Sequence, residues 1–374
     1  MTEQDTGQTK EEAVNHGPLP GNVHAVILAG GQGTRFWPMS RKARPKPFLP
    51  FGDGKESLIQ ATARRARELV GDASRLWVVT NEVQRALAEE HVPDARIISE
   101  SLPRNTAAAI GLAAAHIRAV DPSAVMVVLP ADHAIEREDL LLAALREASA
   151  LASAEPLIVT VGVPPTSPHT GYGYIRRGAS LRGSSYMVHR FYEKPNQERA
   201  EQYVASGLYC WNSGMFISSV ETAWSAFEEH MPELFGALEK VTAALETAEY
   251  EAVVRGQFEP LESISIDFGV LELARNCAMV WSEPFGWNDI GSWDAWADHF
   301  EHDARDNLFR GDVVAIESEG CTVHSEHRLC ALVEVSNIVV VDSGDALLIC
   351  SRDRVQDVKL VVDELRKRGR NDLL

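Results

Sequence analysis

The sequence predicts an α/β protein, with a mixed, mainly parallel sheet between two helix layers and a small β-rich unit at the C-terminal end. Three observations carry that prediction. From Val23 to about Ala154, short apolar runs alternate with longer amphipathic ones, the rhythm of βαβα units whose strands lie parallel. The first apolar run, Ala25-Val26-Ile27-Leu28, passes directly into Ala29-Gly30-Gly31-Gln32-Gly33-Thr34-Arg35, a strand end opening into a glycine loop. After the charged stretch 301–307, short apolar pieces recur at regular spacing, the pattern of a small all-β unit.

In order, the apolar runs place strands at 25–28, 76–79, 96–98 and 125–129, and the amphipathic runs place helices at 57–70, 82–90, 106–120 and 139–152. From 156 to 300 the pattern is mixed, with strands expected at 157–161, 173–176, 187–191 and 215–218 and helices at 220–228 and 264–274. This segment reads as an insertion covering the crevice beyond the strand ends, where ligands of such sheets bind. Strands at 312–316, 321–324, 329–335, 338–341 and 346–350 and a closing helix at 355–367 complete the chain. The implied units are a disordered leader over 1–21, a main domain over 22–300 and a β-rich domain with its terminal helix over 307–374.

The glycine loop is a local positive island. No Asp or Glu occurs from Ala13 to Gly52, although the 374-residue chain carries a formal charge of -18. Glycines leave main-chain N–H groups accessible to phosphate oxygens, and Arg35, Arg41, Arg44 and Lys46 can donate further charge-assisted hydrogen bonds to the same anion, so a polyphosphate suits the loop. Its spacing is neither the G-x-G-x-x-G of a dinucleotide site nor a Walker A loop, because Phe36 follows Arg35 and no Gly-Lys-Ser/Thr occurs there. The bland alternative is a strand-to-helix turn with a solvated basic face.

Composition narrows the class further. The acidic balance, with pI near 5.1, argues against nucleic acid, which demands a wide basic face. The longest apolar runs, such as 124–129, fall far short of the roughly 20 residues that cross a bilayer. Cys210, Cys277, Cys321, Cys330 and Cys350 are odd in number and form no C-x-x-C, which points away from disulfides and zinc and toward a cytoplasmic protein.

Six ordered motifs then combine: Leu28-Ala29-Gly30-Gly31-Gln32-Gly33-Thr34-Arg35-Phe36-Trp37-Pro38-Met39-Ser40-Arg41, Arg104-Asn105-Thr106-Ala107, Leu129-Pro130-Ala131-Asp132-His133, Phe191-Tyr192-Glu193-Lys194-Pro195, Trp211-Asn212-Ser213-Gly214-Met215-Phe216 and Trp287-Asn288-Asp289-Ile290-Gly291-Ser292-Trp293. Together they closely resemble the mannose-1-phosphate guanylyltransferases, from about Val23 to the C-terminus. The resemblance implies a three-layer α/β/α nucleotidyltransferase domain followed by a left-handed β-helix-like segment. It implies the reaction of GTP with α-D-mannose 1-phosphate to give GDP-mannose and pyrophosphate, in a homodimer without nucleic-acid or membrane partners.

The reaction joins two anions and discharges a third, so it needs cations and a hard metal ion but no covalent intermediate. Mg²⁺ or another divalent cation uses one or two carboxylates plus substrate phosphates, and the resemblance assigns Asp132 and Asp289 to it. By the same resemblance, Arg35 meets the departing pyrophosphate, Lys46 the phosphate charge between the substrates, and Lys194 the sugar phosphate. Leu28, Ala29, Gly30, Gly31, Gly33 and Thr34 line the nucleotide, with Glu100, Asn105 and Thr106 toward the base. Gly171, Tyr172, Glu193 and Asn212 line the sugar. A carboxylate suits guanine because its Watson–Crick edge offers N1–H and N2–H donors. The bland counterparts are capping for Asp132, Asp289 and Asn105, a surface position for Glu100, and a solvated ion pair for Glu193 with Lys194.

His169 departs from the acidic residue usual before Thr170-Gly171-Tyr172. His133 reads as structural, since mannose 1-phosphate is already ionised at neutral pH. Trp37, Trp287 and Trp293 read as loop anchors. Another sugar-1-phosphate nucleotidyltransferase, or a catalytically silent subunit that senses nucleotide-sugar, remain the alternatives. The length leaves no room for a fused isomerase.

Overall fold

Strand β1 (Val23–Leu28) is the hub of a nine-stranded sheet. The computed structural model describes Leu19 and residues 21–52 and 54–374; the expected leader lies, except for Leu19 and Gly21, outside the described residues. A short ribbon of β2 (Pro50–Phe51) and β3 (Glu56–Ser57) follows β1, and then come α1 (Leu58–Val70), β4 (Leu76–Asn81), α2 (Arg85–His91), β5 (Arg96–Glu100) and α3 (Asn105–Val120). Next are β6 (Val125–Pro130), α4 (Glu138–Ala154), β7 (Ile158–Val163), β8 (Tyr174–Ser180), β9 (Ser185–Tyr192), α5 (Gln197–Ser206) and β10 (Tyr209–Ser219). Helices α6 (Val220–His230), α7 (Pro232–Ala244) and α8 (Tyr250–Phe258), strand β11 (Cys277–Trp281) and helix α9 (Trp293–Ala297) complete this part.

The strands order as β5-β4-β1-β6-β10-β7-β11-β9-β8, with β8 also pairing β10. All run one way except β9 and β10, which are antiparallel to their neighbours, so the sheet is mixed and mainly parallel. Alternation along the strands feeds two cores. Val23, Ala25 and Ile27 of β1 pack with α1 and α4, while Val26 packs with α3, α6, α7 and α8. Local signals set the helix ends: Ser57 and Gln60 form a reciprocal capping box at the start of α1, and Gly71 closes it at φ 69°.

Past residue 307, β12 (Leu308–Ile316), β13 (Thr322–Val333) and β14 (Ile338–Asp342) stack in parallel, β15 (Leu347–Ser351) pairs antiparallel with β14, and α10 (Val358–Lys367) follows. The strands expected at 321–324 and 329–335 are one strand, β13, whose irregularity is taken up against β12 between Gly311 and Val313. The helix expected at 264–274 shrinks to a single wide turn, Asp267–Leu271, in which the Glu272 N–H reaches the Asp267 carbonyl. Gly269 passes there so close to Met231 that a Cβ would lie 2.5 Å from its sulfur. A third apolar cluster joins Phe36 and Trp37 of the glycine-loop region, Ile290, Trp293 and Trp296 to Val339, Val341, Leu348, Val355, Val358 and Val362. The C-terminal unit thus braces the loop directly.

Candidate active site

The glycine loop leaves β1 between its two parallel neighbours. Ala29 N–H and carbonyl are tied to Val79 and Thr80, and Leu28 accepts from Ala131 N–H, so the loop starts from a fixed base. Among the described residues no hydrogen bond takes the N–H of Gly30, Gly31, Gln32 or Gly33. Gly31 has nothing within 4 Å of a notional Cβ, whereas at Gly33 a Cβ would fall 2.4 Å from that of Lys46. Gly33 also sits at φ 64° and opens the short turn Thr34–Phe36, so both geometry and space require glycine there.

That close approach places Lys46, which is only 5% exposed. Its ammonium donates to Asp132 Oδ2 at 2.8 Å and to the Asp289 carbonyl at 2.6 Å, drawing the loops after β6 and β11 to one point. Burial pushes the Asp132 carboxyl up, but Lys46 and His133 more than offset this and hold it below the usual carboxylate range. Asp289 Oδ1 accepts from Gly291 N–H at 2.9 Å and from the Tyr172 hydroxyl at 3.2 Å. It does not cap α9, a role taken by Ser292. Arg35 donates to Gln356 Oε1 at 2.8 Å.

Tyr172 lies two residues before β8, whose first residue, Tyr174, pairs both Tyr192 of β9 and Trp211 of β10. This pairing brings Gly171-Tyr172, Glu193-Lys194 and Asn212 together. A Cβ at Gly173 would lie 2.7 Å from a Glu193 carboxylate oxygen and 3.5 Å from Asn212 Cβ. Lys194 is ion-paired with Glu193. Asn212 donates to Asp267 Oδ1 at 2.7 Å and accepts from Gly214 N–H and Thr160 Oγ1, which fixes the orientation of its amide. Sequence reasoning missed Asp267, because that contact spans 55 residues and no local pattern announces it.

His169 has a definite place: it stacks on Tyr172 with centroids 3.9 Å apart, and its Nδ1 accepts from Gly171 N–H. Burial lowers its pKa, keeping the accepting nitrogen free of a proton near neutrality. His133 Nδ1 accepts from Trp287 Nε1 at 3.1 Å. Trp37, Trp287 and Trp293 are all buried.

Glu100 closes β5, 4% exposed and near Gly30, whose notional Cβ would lie 3.7 Å from Oε2. Its Oε1 has no hydrogen-bond partner, and burial pushes the carboxyl up to about 8. Asn105 and Thr106 open α3. They line a cavity of about 1100 Å³ with Glu193, Lys194 and Asp267, their side-chain oxygens accepting from the N–H groups of Thr106 and Ile266 respectively.

A three-layer sheet whose first strand ends in an anion-ready loop, facing two aspartates across a buried lysine, defines a nucleotidyltransferase. The family model for nucleotidyl transferases matches residues 24–306, and that for the mannose-phosphate isomerase/GMP-like β-helix domain matches residues 311–365. Xanthan biosynthesis protein XanB of Xanthomonas campestris is 37% identical over 94% of this chain and 75% of its own. A mannose-1-phosphate guanylyltransferase of Klebsiella pneumoniae is 37% identical over 93% and 74%. A solved structure from Thermus thermophilus, described as a mannose-1-phosphate geranyltransferase, superposes with a TM-score of 0.83 at 36% identity over 92% of this chain and 99% of that one. The chain belongs to the mannose-1-phosphate guanylyltransferase family.

Proposed function

We propose that this enzyme transfers GMP from GTP to α-D-mannose 1-phosphate, releasing GDP-mannose and pyrophosphate. The observation that carries the choice of nucleotide is Glu100, a buried carboxyl with an unpartnered oxygen beside the glycine loop. An unmade bond of that kind is costly, and the adjacent N1–H and N2–H donors of guanine complete it. The free N–H groups of residues 30–33 cradle the triphosphate, while Arg35 faces the leaving pyrophosphate. Lys46 carries charge toward the point where the sugar phosphate attacks the α-phosphorus. Lys194 engages the sugar phosphate, Glu193 and Asn212 take sugar hydroxyls, and Tyr172 and Gly171 close the pocket. Asp267 holds the Asn212 amide in register. No general base is assigned, because the attacking phosphate is already an anion.

The residue chemistry fits a hard divalent cation: Asp132 and Asp289 offer carboxylate oxygens from the two loops that Lys46 draws together through Asp132 Oδ2 and the Asp289 main-chain carbonyl, and the nearby His133 Nδ1 is already engaged by Trp287. Asp132 and Asp289 would hold Mg²⁺ or a similar ion, which when bound supplies charge stabilisation to the phosphates. Two further assignments belong to this reading. Residues 22–300 form the nucleotidyltransferase unit and 307–374 the C-terminal unit. The exposed Val314, Ile316, Leu329, Val333, Leu347 and Ile349 of its strands support a homodimer formed there. Free thiols at all five cysteines, and the absence of any helix long and apolar enough to cross a membrane among the described residues, support a cytoplasmic setting.

A coupled pyrophosphate-release assay with mannose 1-phosphate, Mg²⁺ and each of GTP, ATP, UTP and CTP tests the proposal. Turnover confined largely to GTP is the expected result. Equal use of the four nucleotides would contradict the role of Glu100, and no turnover with any of them would sink the activity.

A further inference from the structure

Arg35 and Asp289 stand side by side with opposite charges. A Cβ added at Gly291 would lie 3.3 Å from Arg35 Nη1 and 2.9 Å from Asp289 Oδ2, which bounds their separation at about 6 Å. That is inside the screening length of about 8 Å at physiological salt. Nevertheless they do not pair. Arg35 Nη1 donates to the Gln356 amide oxygen instead, and Asp289 is satisfied by Tyr172 and Gly291.

Gln356 comes from the C-terminal unit, 321 residues away in sequence, and its backbone is firmly held. It lies in the turn Arg352–Asp357, whose Val355 is buried in the cluster containing Phe36 and Trp293. Arg352 at the start of that turn binds Asp294 at 2.6 Å and Asp306 at 2.7 Å. The residue type matters too. A neutral amide oxygen orients a guanidinium while leaving its charge and its other N–H donors for a ligand, whereas a carboxylate would neutralise it.

We propose that Gln356 is a positioning residue that keeps the Arg35 guanidinium off the Asp289 carboxylate and directed at the pyrophosphate group. Without this tether the arginine folds onto Asp289, and each charge cancels the other at the moment both are needed for ligands. The inference rests on the guanylyltransferase reading for what Arg35 binds. It adds that the C-terminal unit completes the site through one hydrogen bond.

The test uses the full chain as wild type, Gln356→Ala, Gln356→Glu, Arg35→Ala and the Arg35→Ala/Gln356→Ala pair. Pyrophosphate binding is measured by calorimetry, and the pyrophosphate and GDP-mannose KM values are measured in the reverse reaction. Gln356 is exposed, so its replacement leaves the core intact, and a melting curve checks this. Gln356→Ala should weaken pyrophosphate about 10-fold, the order expected for a hydrogen bond to a charged group, and leave the GDP-mannose KM unchanged. Gln356→Glu should weaken pyrophosphate at least as much, and Gln356→Ala should add nothing once Arg35 is alanine. Unchanged pyrophosphate affinity in Gln356→Ala, or an equal loss in the Arg35→Ala background, would overturn the inference. A wild-type protein without turnover would remove the guanylyltransferase reading, while the calorimetric order still decides the role of Gln356.

Discussion

Replacing Glu100 by Gln keeps the shape of the side chain and removes its ability to ionise, with consequences that can be worked out in sign and size. Burial raises the carboxyl from 4.5 to about 8, so at pH 7 the unliganded protein carries it protonated. Below pH 4.5 the folded and unfolded chains hold the same proton and the group has no effect on relative stability. As pH rises through 4.5 the unfolded chain releases the proton while the folded one keeps it until about 8, so stability is lost across that window. At pH 7 the loss reaches about 3 kcal/mol at 1.36 kcal/mol per pH unit. Glu100→Gln should therefore melt higher than wild type at pH 7 and alike near pH 4. GTP acts the other way, because its N1–H and N2–H donors favour the carboxylate. Binding should expel about 0.9 proton at pH 7, given a group that titrates near 8. Two charge-assisted bonds worth about 3 kcal/mol, less about 1.4 kcal/mol to ionise the acid at pH 7, leave a net gain near 1.6 kcal/mol, or roughly 15-fold in affinity. The variant's amide offers one acceptor and one donor, a pattern that matches adenine better than guanine, so its GTP-over-ATP preference should shrink. GTP titration calorimetry from pH 6 to 9, in buffers of different ionisation enthalpy, reads both quantities. GTP affinity within twofold of wild type, with no proton released by either protein, would refute the assignment.

Asp289→Asn keeps the acceptor for Gly291 and Tyr172, so melting should hardly move while kcat falls by about 100-fold or more; near-normal turnover with Mg²⁺ removes it from the metal role. Asp132→Asn should be as inactive and also less stable, by about 3 kcal/mol, because it strands the buried Lys46 charge; equal melting temperatures contradict that ion pair. Gly33→Ala puts a Cβ at φ 64° against Lys46 and should cost about 1–3 kcal/mol in urea unfolding together with most activity. Ile349→Asp on the exposed C-terminal strand should shift the light-scattering mass from dimer to monomer, and an unchanged mass excludes this face from the interface.

What the sequence discloses depends on how far apart the cooperating residues lie. Strand β1 and its glycine loop are continuous, and Ser57 with Gln60 announces α1 within four residues, so these elements are read almost to their ends. Helix α5 escapes because only Ala200 of its ten residues is buried, leaving no apolar stripe to detect. In α7 the stripe exists at Leu234, Leu238 and Val241. No element is expected from the sequence between 228 and 264, although Pro232 occupies the permitted first turn of the helix. Strand β11 is a five-residue run lying just beyond a stretch read as helix, an ambiguity that length alone does not resolve. The site divides in the same way: its motifs are local, but the bonds that join Lys46 to Asp132, Asn212 to Asp267 and Arg35 to Gln356 cross 86, 55 and 321 residues.

Those long-range bonds also sort the cations of a loop that, as a string of letters, looks uniformly basic. Arg41 is committed to the C-terminal unit, donating to Asp345 at 2.9 Å and to Ser343 at 3.2 Å, and so holds the loop in place. Lys46 is buried and tied to both aspartate loops, which makes it the pin of the site and explains why Gly33 must lack a side chain. Arg35 is partly exposed, held by one neutral acceptor, and retains its charge for an incoming anion. The missing acids between Ala13 and Gly52 serve this division, because the carboxylates that pair with the loop's cations, Asp132 on Lys46 and Asp345 on Arg41, come from elsewhere in the chain and are fixed by those ion pairs. A carboxylate within the loop would have no such constraint and would pair with Arg35, cancelling the charge that the proposed binding of pyrophosphate draws on.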